Sequence, residues 1–184
     1  MAALASARNG AYNRRPFAWQ IGISVKKTAK AAPHSHDHDH CVEDALAAAE
    51  KVCAAKPLRF TPLRRRVLEL VWSSHKPVGA YALLDSLRNE DLGSAPPTVY
   101  RALDFLIENG LIHRIERMNA FVGCSHPGES HRGFFLICSE CGNAEELDGE
   151  SLSESISTSA ARRGFAARDM TLEVTGVCGD CRKP

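Results

Sequence analysis

The sequence predicts an α+β chain: an N-terminal winged helix-turn-helix domain followed by a smaller C-terminal α/β domain held by a four-cysteine metal site. Three observations predict it. Cys138-Ser139-Glu140-Cys141 is answered by Cys178-Gly179-Asp180-Cys181. Between residues 42 and 109, apolar side chains recur at helical spacing in four separate stretches. After Gly110 the period changes from helical to two.

Composition sets the outer bounds. A chain of 184 residues with 44% hydrophobic and 24% charged residues suits one or two soluble domains. No apolar run reaches the ~18 residues of a membrane span, so a cytoplasmic protein without membrane contact is expected. The seven cysteines are odd in number and partly paired in spacing. That pattern argues for a reducing compartment and metal binding, against a secreted disulfide scaffold. Net charge is +1, unevenly spread, and residues 125–184 hold six basic and ten acidic groups. The C-terminal part therefore cannot grip nucleic acid unaided, and a patch in the middle of the chain must do it.

Residues 1–41 read as a disordered extension. The first 32 carry six basic groups and no acid, a composition that also resembles an organelle transit peptide. His34, His36, His38 and His40 then alternate with Ser35, Asp37 and Asp39, a tract able to bind borderline metals weakly.

The domain expected over residues 42–124 begins with a helix from about Val42 to Ala54, with Val42, Leu46, Ala49 and Cys53 on one face. Cys53 is accordingly a small buried hydrophobe and not a ligand. A second helix starts at Thr61-Pro62, an N-cap followed by a proline at the first helical position. Leu63, Val67, Leu70 and Val71 form its stripe. Pro77-Val78-Gly79 reads as a turn. A third helix, about Ala80 to Asn89, buries Ala80, Leu83, Leu84 and Leu87. A fourth begins near Pro97 and stops at Asn109-Gly110, with Val99, Ala102, Leu103 and Leu106 inside. Leu111 to Glu116 and Ala120 to Val122 alternate about a turn at Arg117-Met118-Asn119, which makes a β-hairpin wing.

Residues 125–131 read as a hinge, and 132–184 as the second domain. Strands are expected at Phe134 to Ile137, Asn143 to Leu147 and Thr171 to Val177, with a helix over 149–163. Two CxxC knuckles close a tetrahedral site with no open position, so Cys138, Cys141, Cys178 and Cys181 are expected to hold a structural Zn2+. About 50 residues make a thin core, and the metal would supply much of the folding free energy. Unclosed strand edges invite a second copy, hence a homodimer.

In a helix-turn-helix the second helix of the pair enters the major groove of double-stranded DNA, N-terminal residues first. Here it carries Thr98, Tyr100 and Arg101. Arg101 suits a bidentate contact to guanine, worth about 1–3 kcal/mol of discrimination. Tyr100 and Thr98 can reach phosphates or a thymine methyl. Arg64 and Arg65, in an acid-free basic run at the start of the second helix, are expected to hold the phosphate backbone, and Tyr81 either to touch phosphate or sugar or to cap the core.

A second metal set lies around the hinge. His113, Cys124, His126 and His131, with Glu145 and Glu146 further on, offer nitrogen, sulfur and oxygen donors. His113, Cys124, His131 and a glutamate would complete a tetrahedron, with His126 as a competing ligand or a bystander. A thiolate among them favours Zn2+ over Fe2+ or Mn2+. No HxE or HExxH motif supports a zinc hydrolase or deaminase, so no enzyme is expected.

The run from Pro96 through Leu106, together with Arg59-Phe60-Thr61-Pro62 and the two CxxC pairs, resembles the ferric uptake regulator family, and within it the zinc uptake regulator branch. The resemblance covers roughly residues 42–182. It implies a homodimeric repressor that binds AT-rich palindromic operators of zinc-uptake genes when zinc is replete. It implies a regulatory Zn2+ on His113, Cys124, His131 and Glu146, and hence two Zn2+ per chain. It matches Tyr81 and Arg101 to operator contacts, and Asp85 and Arg88 to a pair that bridges neighbouring dimers on one operator. The alternative within the family is a regulator responding to iron, manganese, nickel or peroxide. The long N-terminal extension and the His/Asp tract depart from the family pattern.

Overall fold

The computed structural model describes residues 38–182 apart from 75, 91, 93, 94, 130 and 132. Residues 1–37, most of the expected N-terminal extension and including His34 and His36, lie outside the described residues. Among those described, no helix is long and apolar enough to cross a membrane.

Four helices and a three-stranded sheet form the first half: α1 (His38–Ala55), α2 (Pro62–Trp72), β1 (Val78–Gly79), α3 (Ala80–Asn89), α4 (Pro96–Glu108), β2 (Ile112–Ile115) and β3 (Ala120–Gly123). The expected apolar stripes meet in one core. Ala49 and Cys53 of α1, Val67, Leu68 and Val71 of α2, Ala80, Leu83, Leu84 and Leu87 of α3, and Val99, Ala102, Leu103, Phe105 and Leu106 of α4 are buried together. The Thr61 hydroxyl accepts the Arg64 amide at 3.4 Å and caps α2. Gly110, at φ +64°, ends α4. Its amide bonds to Ile107 and that of Leu111 to Leu106, so the last carbonyls of α4 are satisfied as the chain turns into the wing.

Three local expectations are corrected. Helix α1 starts at His38, not Val42, and absorbs the end of the His/Asp tract. A polar first turn has no apolar period to announce it. Val78–Gly79 is a short strand paired antiparallel with Phe121 and Ala120 of β3, not only a turn. Helix α4 begins at Pro96, so two prolines occupy its first turn. They are tolerated because the first N–H groups of a helix lack partners anyway.

The second half comprises β4 (Phe134–Cys138), β5 (Ala144–Leu147), α5 (Glu150–Ala161) and β6 (Leu172–Gly176). The sheet order is β5-β4-β6, with β4 antiparallel to β5 and parallel to β6. Strand alternation gives each sheet two distinct faces. In the wing, Ile112 and Phe121 face the helical core, while Ile115 and Val122 face the other way. That outer face meets Phe135, Ile137 and Ala144 of the second sheet in a small apolar layer. The wing is thus a shared wall between the helices and the C-terminal sheet. The connection over 125–131, expected as a hinge, spans two halves that also touch directly.

Candidate metal centres and nucleic-acid face

Parallel pairing of β4 with β6 builds the four-cysteine cluster. The register sets Cys138 beside Gly176, so both strands end at the same edge and each runs into its CxxC knuckle there. The first knuckle is closed by Gly142 N–H to Cys138 O at 3.0 Å, the second by Arg182 N–H to Cys178 O at 2.9 Å. Ser139 N–H bonds to Gly176 O at 2.8 Å and ties one to the other. The four sulfurs lie within 4.8 Å of one another, and those of Cys141 and Cys178 are 3.9 Å apart. That is too far for a disulfide and close to the spacing of about 3.8 Å that Zn–S bonds of about 2.3 Å require. Backbone N–H groups of Cys141 and Cys178 pull the Cys138 thiol down to about 6, whereas the neighbouring sulfurs of Cys178 and Cys141 push Cys181 up to about 12. A thiolate is the ligand form, and the backbone already favours one at Cys138.

The second cluster stands at the seam between wing and C-terminal sheet. His113 is on β2 and shares the outward face of Ile115. Cys124 follows β3 on the same side as Val122, and its amide bonds back to Leu111 O at 3.2 Å. Glu146 lies opposite Phe135 on the face of β5 that carries Ala144, whereas Glu145 pairs with Leu136 on the other face. Strand parity therefore selects Glu146 over Glu145. His131 comes from the connecting segment.

Four donor atoms converge. The Nε2 atom of His131 lies 3.2 Å from His113 Nε2, 3.4 Å from Cys124 Sγ and 2.9 Å from Glu146 Oε1. His113 Nε2 is also 2.9 Å from Glu146 Oε1. Hydrogen bonding does not account for this crowding, because a ring nitrogen offers one proton or one lone pair, and here it faces three heteroatoms. A cation fits. Nitrogen donors on zinc at about 2.0–2.1 Å sit about 3.3 Å apart. One thiolate and one carboxylate also neutralise a divalent ion in a site where Cys124 is 1% exposed and the Glu146 side chain 7%.

The surroundings orient these donors. His131 Nδ1 lies 3.1 Å from Glu129 O, which turns Nε2 into the site as a lone-pair donor. Gly133 lets the chain pass against the His113 ring; a Cβ there would come within 2.8 Å of His113 Nδ1 and 2.7 Å of Phe135 Cε2. Burial, helped by the Glu146 and Glu129 charges, pushes the Cys124 thiol up to about 12 despite a bond from the His126 amide. Burial would also raise the Glu146 carboxyl, but hydrogen bonds from His113 and Ser125 outweigh it and hold the group at about 2. His126 turns to Ser125 Oγ at 3.1 Å and stays outside the donor set.

On the helical half, α4 presents Thr98, Tyr100 and Arg101 to solvent. Tyr100 is 41% exposed, and Tyr81, at the start of α3, 78%. Arg101 has no ion-pair partner among the described residues. Arg64 and Arg65, expected at the phosphate backbone, also have protein partners. The Arg64 guanidinium stacks 3.5 Å over the Phe105 ring and bonds to Arg59 O, and Arg65 pairs with Glu50. Both therefore brace α2 against its neighbours. Asp85 and Arg88 form an exposed pair at 3.5 Å on α3.

These features agree with comparisons to known proteins. The model of the ferric uptake regulator family matches residues 55–175. The zinc uptake regulation protein of Escherichia coli (strain K12) is 41% identical over 140 residues, 76% of this chain and 82% of that protein. Its namesake in Mycobacterium tuberculosis (strain ATCC 25618 / H37Rv) is 27% identical over 132 residues, 70% of this chain and 98% of that protein. A solved zinc uptake regulator complexed with zinc and DNA superposes with a TM-score of 0.72 at 40% identity, over 76% of this chain and 94% of the other. Holo XcZur gives 0.69 at 45% identity, over 75% and 96%. On the family match and on this degree of identity over most of its length, the chain belongs to the ferric uptake regulator family.

Proposed function

We propose that this protein is a zinc-responsive transcriptional repressor: a cytoplasmic homodimer that, when zinc is replete, binds AT-rich palindromic operators of zinc-uptake genes. The observation that carries the reading is the composition of the second cluster. Its donors come from the wing (His113, Cys124), the connecting segment (His131) and the C-terminal sheet (Glu146). Gathering those four side chains fixes the wing relative to the sheet.

Each chain would take two Zn2+, a structural one on Cys138, Cys141, Cys178 and Cys181 and a regulatory one on His113, Cys124, His131 and Glu146. A bound Zn2+ supplies a double positive charge and four directed bonds. The protein residues do the rest. The wing packs on the helical core, so orienting it orients α4. Arg101, Tyr100 and Thr98 then face the major groove, Tyr81 a neighbouring phosphate or sugar, and Arg64 and Arg65 at the start of α2 the phosphate backbone. Leu136 and Val174, paired across the outer face of the C-terminal sheet, are exposed together with Leu152, Ile156 and Phe165. So much uncovered apolar surface supports a second copy there. Asp85 and Arg88, exposed on α3, are available to bridge adjacent dimers on DNA. The family resemblance and the zinc- and DNA-bound relative support the same reading. Repression is occlusion of the promoter, without chemistry.

The test is fluorescence anisotropy of a labelled AT-rich palindromic duplex, titrated with buffered Zn2+ and, in parallel, Fe2+ and Mn2+ at fixed salt. Steep binding with zinc alone is expected. A response to iron or manganese would move the protein to another branch of the family. Metal-independent binding would demote the seam cluster to structure.

A further inference from the structure

Glu146 uses its two oxygens for different purposes. Oε1 faces the donor cluster, 2.9 Å from both His113 Nε2 and His131 Nε2. Oε2 is turned away and accepts two hydrogen bonds from one residue: the Ser125 backbone N–H at 3.0 Å and the Ser125 hydroxyl at 2.6 Å. The hydroxyl oxygen also lies 3.1 Å from His126 Nδ1, so its donor and acceptor capacities both have partners. Ser125 directly follows Cys124, so one peptide unit sets the thiol ligand and the clamp on the carboxylate together.

We propose that Ser125 is a positioning residue whose hydroxyl sets metal selectivity, by completing the hold that keeps Glu146 to a single coordinating oxygen. A carboxylate with both oxygens free can chelate through both and raise the coordination number above four. The hard ions Mn2+ and Mg2+ prefer more oxygen ligands than four, whereas Zn2+ accepts two nitrogens, one sulfur and one oxygen in a tetrahedron. With Oε2 committed to Ser125, the site offers four donor atoms. The clamp thus works against larger coordination shells, while the thiolate adds its own preference for zinc. This inference rests on the seam cluster being a cation site.

The experiment uses the full chain with the four-cysteine site zinc-loaded, comparing wild type, Ser125→Ala and Ser125→Thr. Zinc affinity at the second site is read by competition with a chromophoric chelator, and the coordination number from the visible absorption of the Co2+-substituted protein, intense for four ligands and weaker for five. For Ser125→Ala, about 10-fold weaker zinc binding, the low end for lost outer-shell partners, is expected. A weaker Co2+ band and a smaller ratio of Zn2+ to Mn2+ affinity should accompany it, and Ser125→Thr should restore all three. If wild type takes up a second equivalent of Co2+ but Ser125→Ala, which keeps the residue 125 amide bond to Oε2, matches it in affinity, spectrum and selectivity, the cation site stands while the role of the Ser125 hydroxyl in selectivity is refuted. An equal loss for every metal with an unchanged spectrum also overturns it. A wild-type chain that takes up no second equivalent overturns the cation site, and the clamp with it.

Discussion

Glu173 on β6 accepts a hydrogen bond from the backbone N–H of Glu116 at 2.6 Å, joining the C-terminal sheet to the tip of the wing across 57 residues of chain. Its other oxygen accepts the Arg117 N–H at 3.2 Å, and the Arg117 guanidinium donates to Thr175 Oγ1 at 2.6 Å. Register explains the alignment. Glu173 and Thr175 pair with Phe135 and Ile137, so all four share the sheet face that meets the wing. The seam therefore has three components: an apolar layer, the candidate metal cluster and this polar latch.

Replacing Glu173 by Ala should loosen the wing tip. Two hydrogen bonds to a carboxylate that remains partly in solvent contribute about 1–2 kcal/mol together. The amides of Glu116 and Arg117 should exchange with solvent roughly 5- to 30-fold faster. Operator affinity at saturating zinc should fall, because the wing would no longer be held at both ends. Hydrogen exchange measured by NMR decides the first point; unchanged protection at both amides would show that the latch does not form in solution.

How much of this could be read from the chain depended on whether the signal was local. The helical stripes are local, and Ala80, Leu83, Leu84 and Leu87 of α3 are buried as their spacing implies. The short β1 is not, because two residues carry no period and only their pairing with β3 makes them a strand. Donor types at the seam were legible as well, and the family resemblance pointed to Glu146, but the physical basis of the selection is tertiary. Strand parity turns Glu146 inward and Glu145 outward, and His126 is diverted to Ser125. The protein partners of Arg64 and Arg65, Phe105 and Glu50, were not legible because they lie on other helices. Ser125 and Glu173 carried no signal at all, since their partners are 21 and 57 residues away.

Arg101 presents the opposite case, an exposed cation on α4 without an ion-pair partner among the described residues. Its removal leaves no buried group unsatisfied, so Arg101→Ala should fold and melt like the parent. Operator binding should weaken by about 1–3 kcal/mol, roughly 5- to 150-fold, and discrimination against a single altered base pair should shrink at one position. A phosphate contact would instead weaken all sequences about equally and flatten the salt dependence. Binding isotherms on matched and singly mutated duplexes at two salt concentrations separate these outcomes.

The two candidate metal clusters differ in what depends on them, and paired serine variants should reveal it. Around the four cysteines there is little apolar core. Helix α5 has no buried residue, and in the C-terminal sheet burial is confined to Phe134, Phe135, Ile137 and Cys138 of β4. Loss of a ligand there removes free energy that the domain cannot replace from packing. Cys138→Ser should therefore lose one zinc, expose the C-terminal sheet to proteolysis and abolish dimerisation, while helical circular dichroism persists because α1 to α4 have their own core. Cys124 is buried against a seam that the apolar layer and the Glu173 latch also hold. Cys124→Ser should lose zinc only at that site, remain a folded dimer, and bind operator weakly at any zinc concentration. Zinc stoichiometry, sedimentation and limited proteolysis of the two variants distinguish the roles. If Cys124→Ser also unfolded the C-terminal sheet, or if it kept the zinc dependence of the parent, the division into one structural and one regulatory site would be wrong.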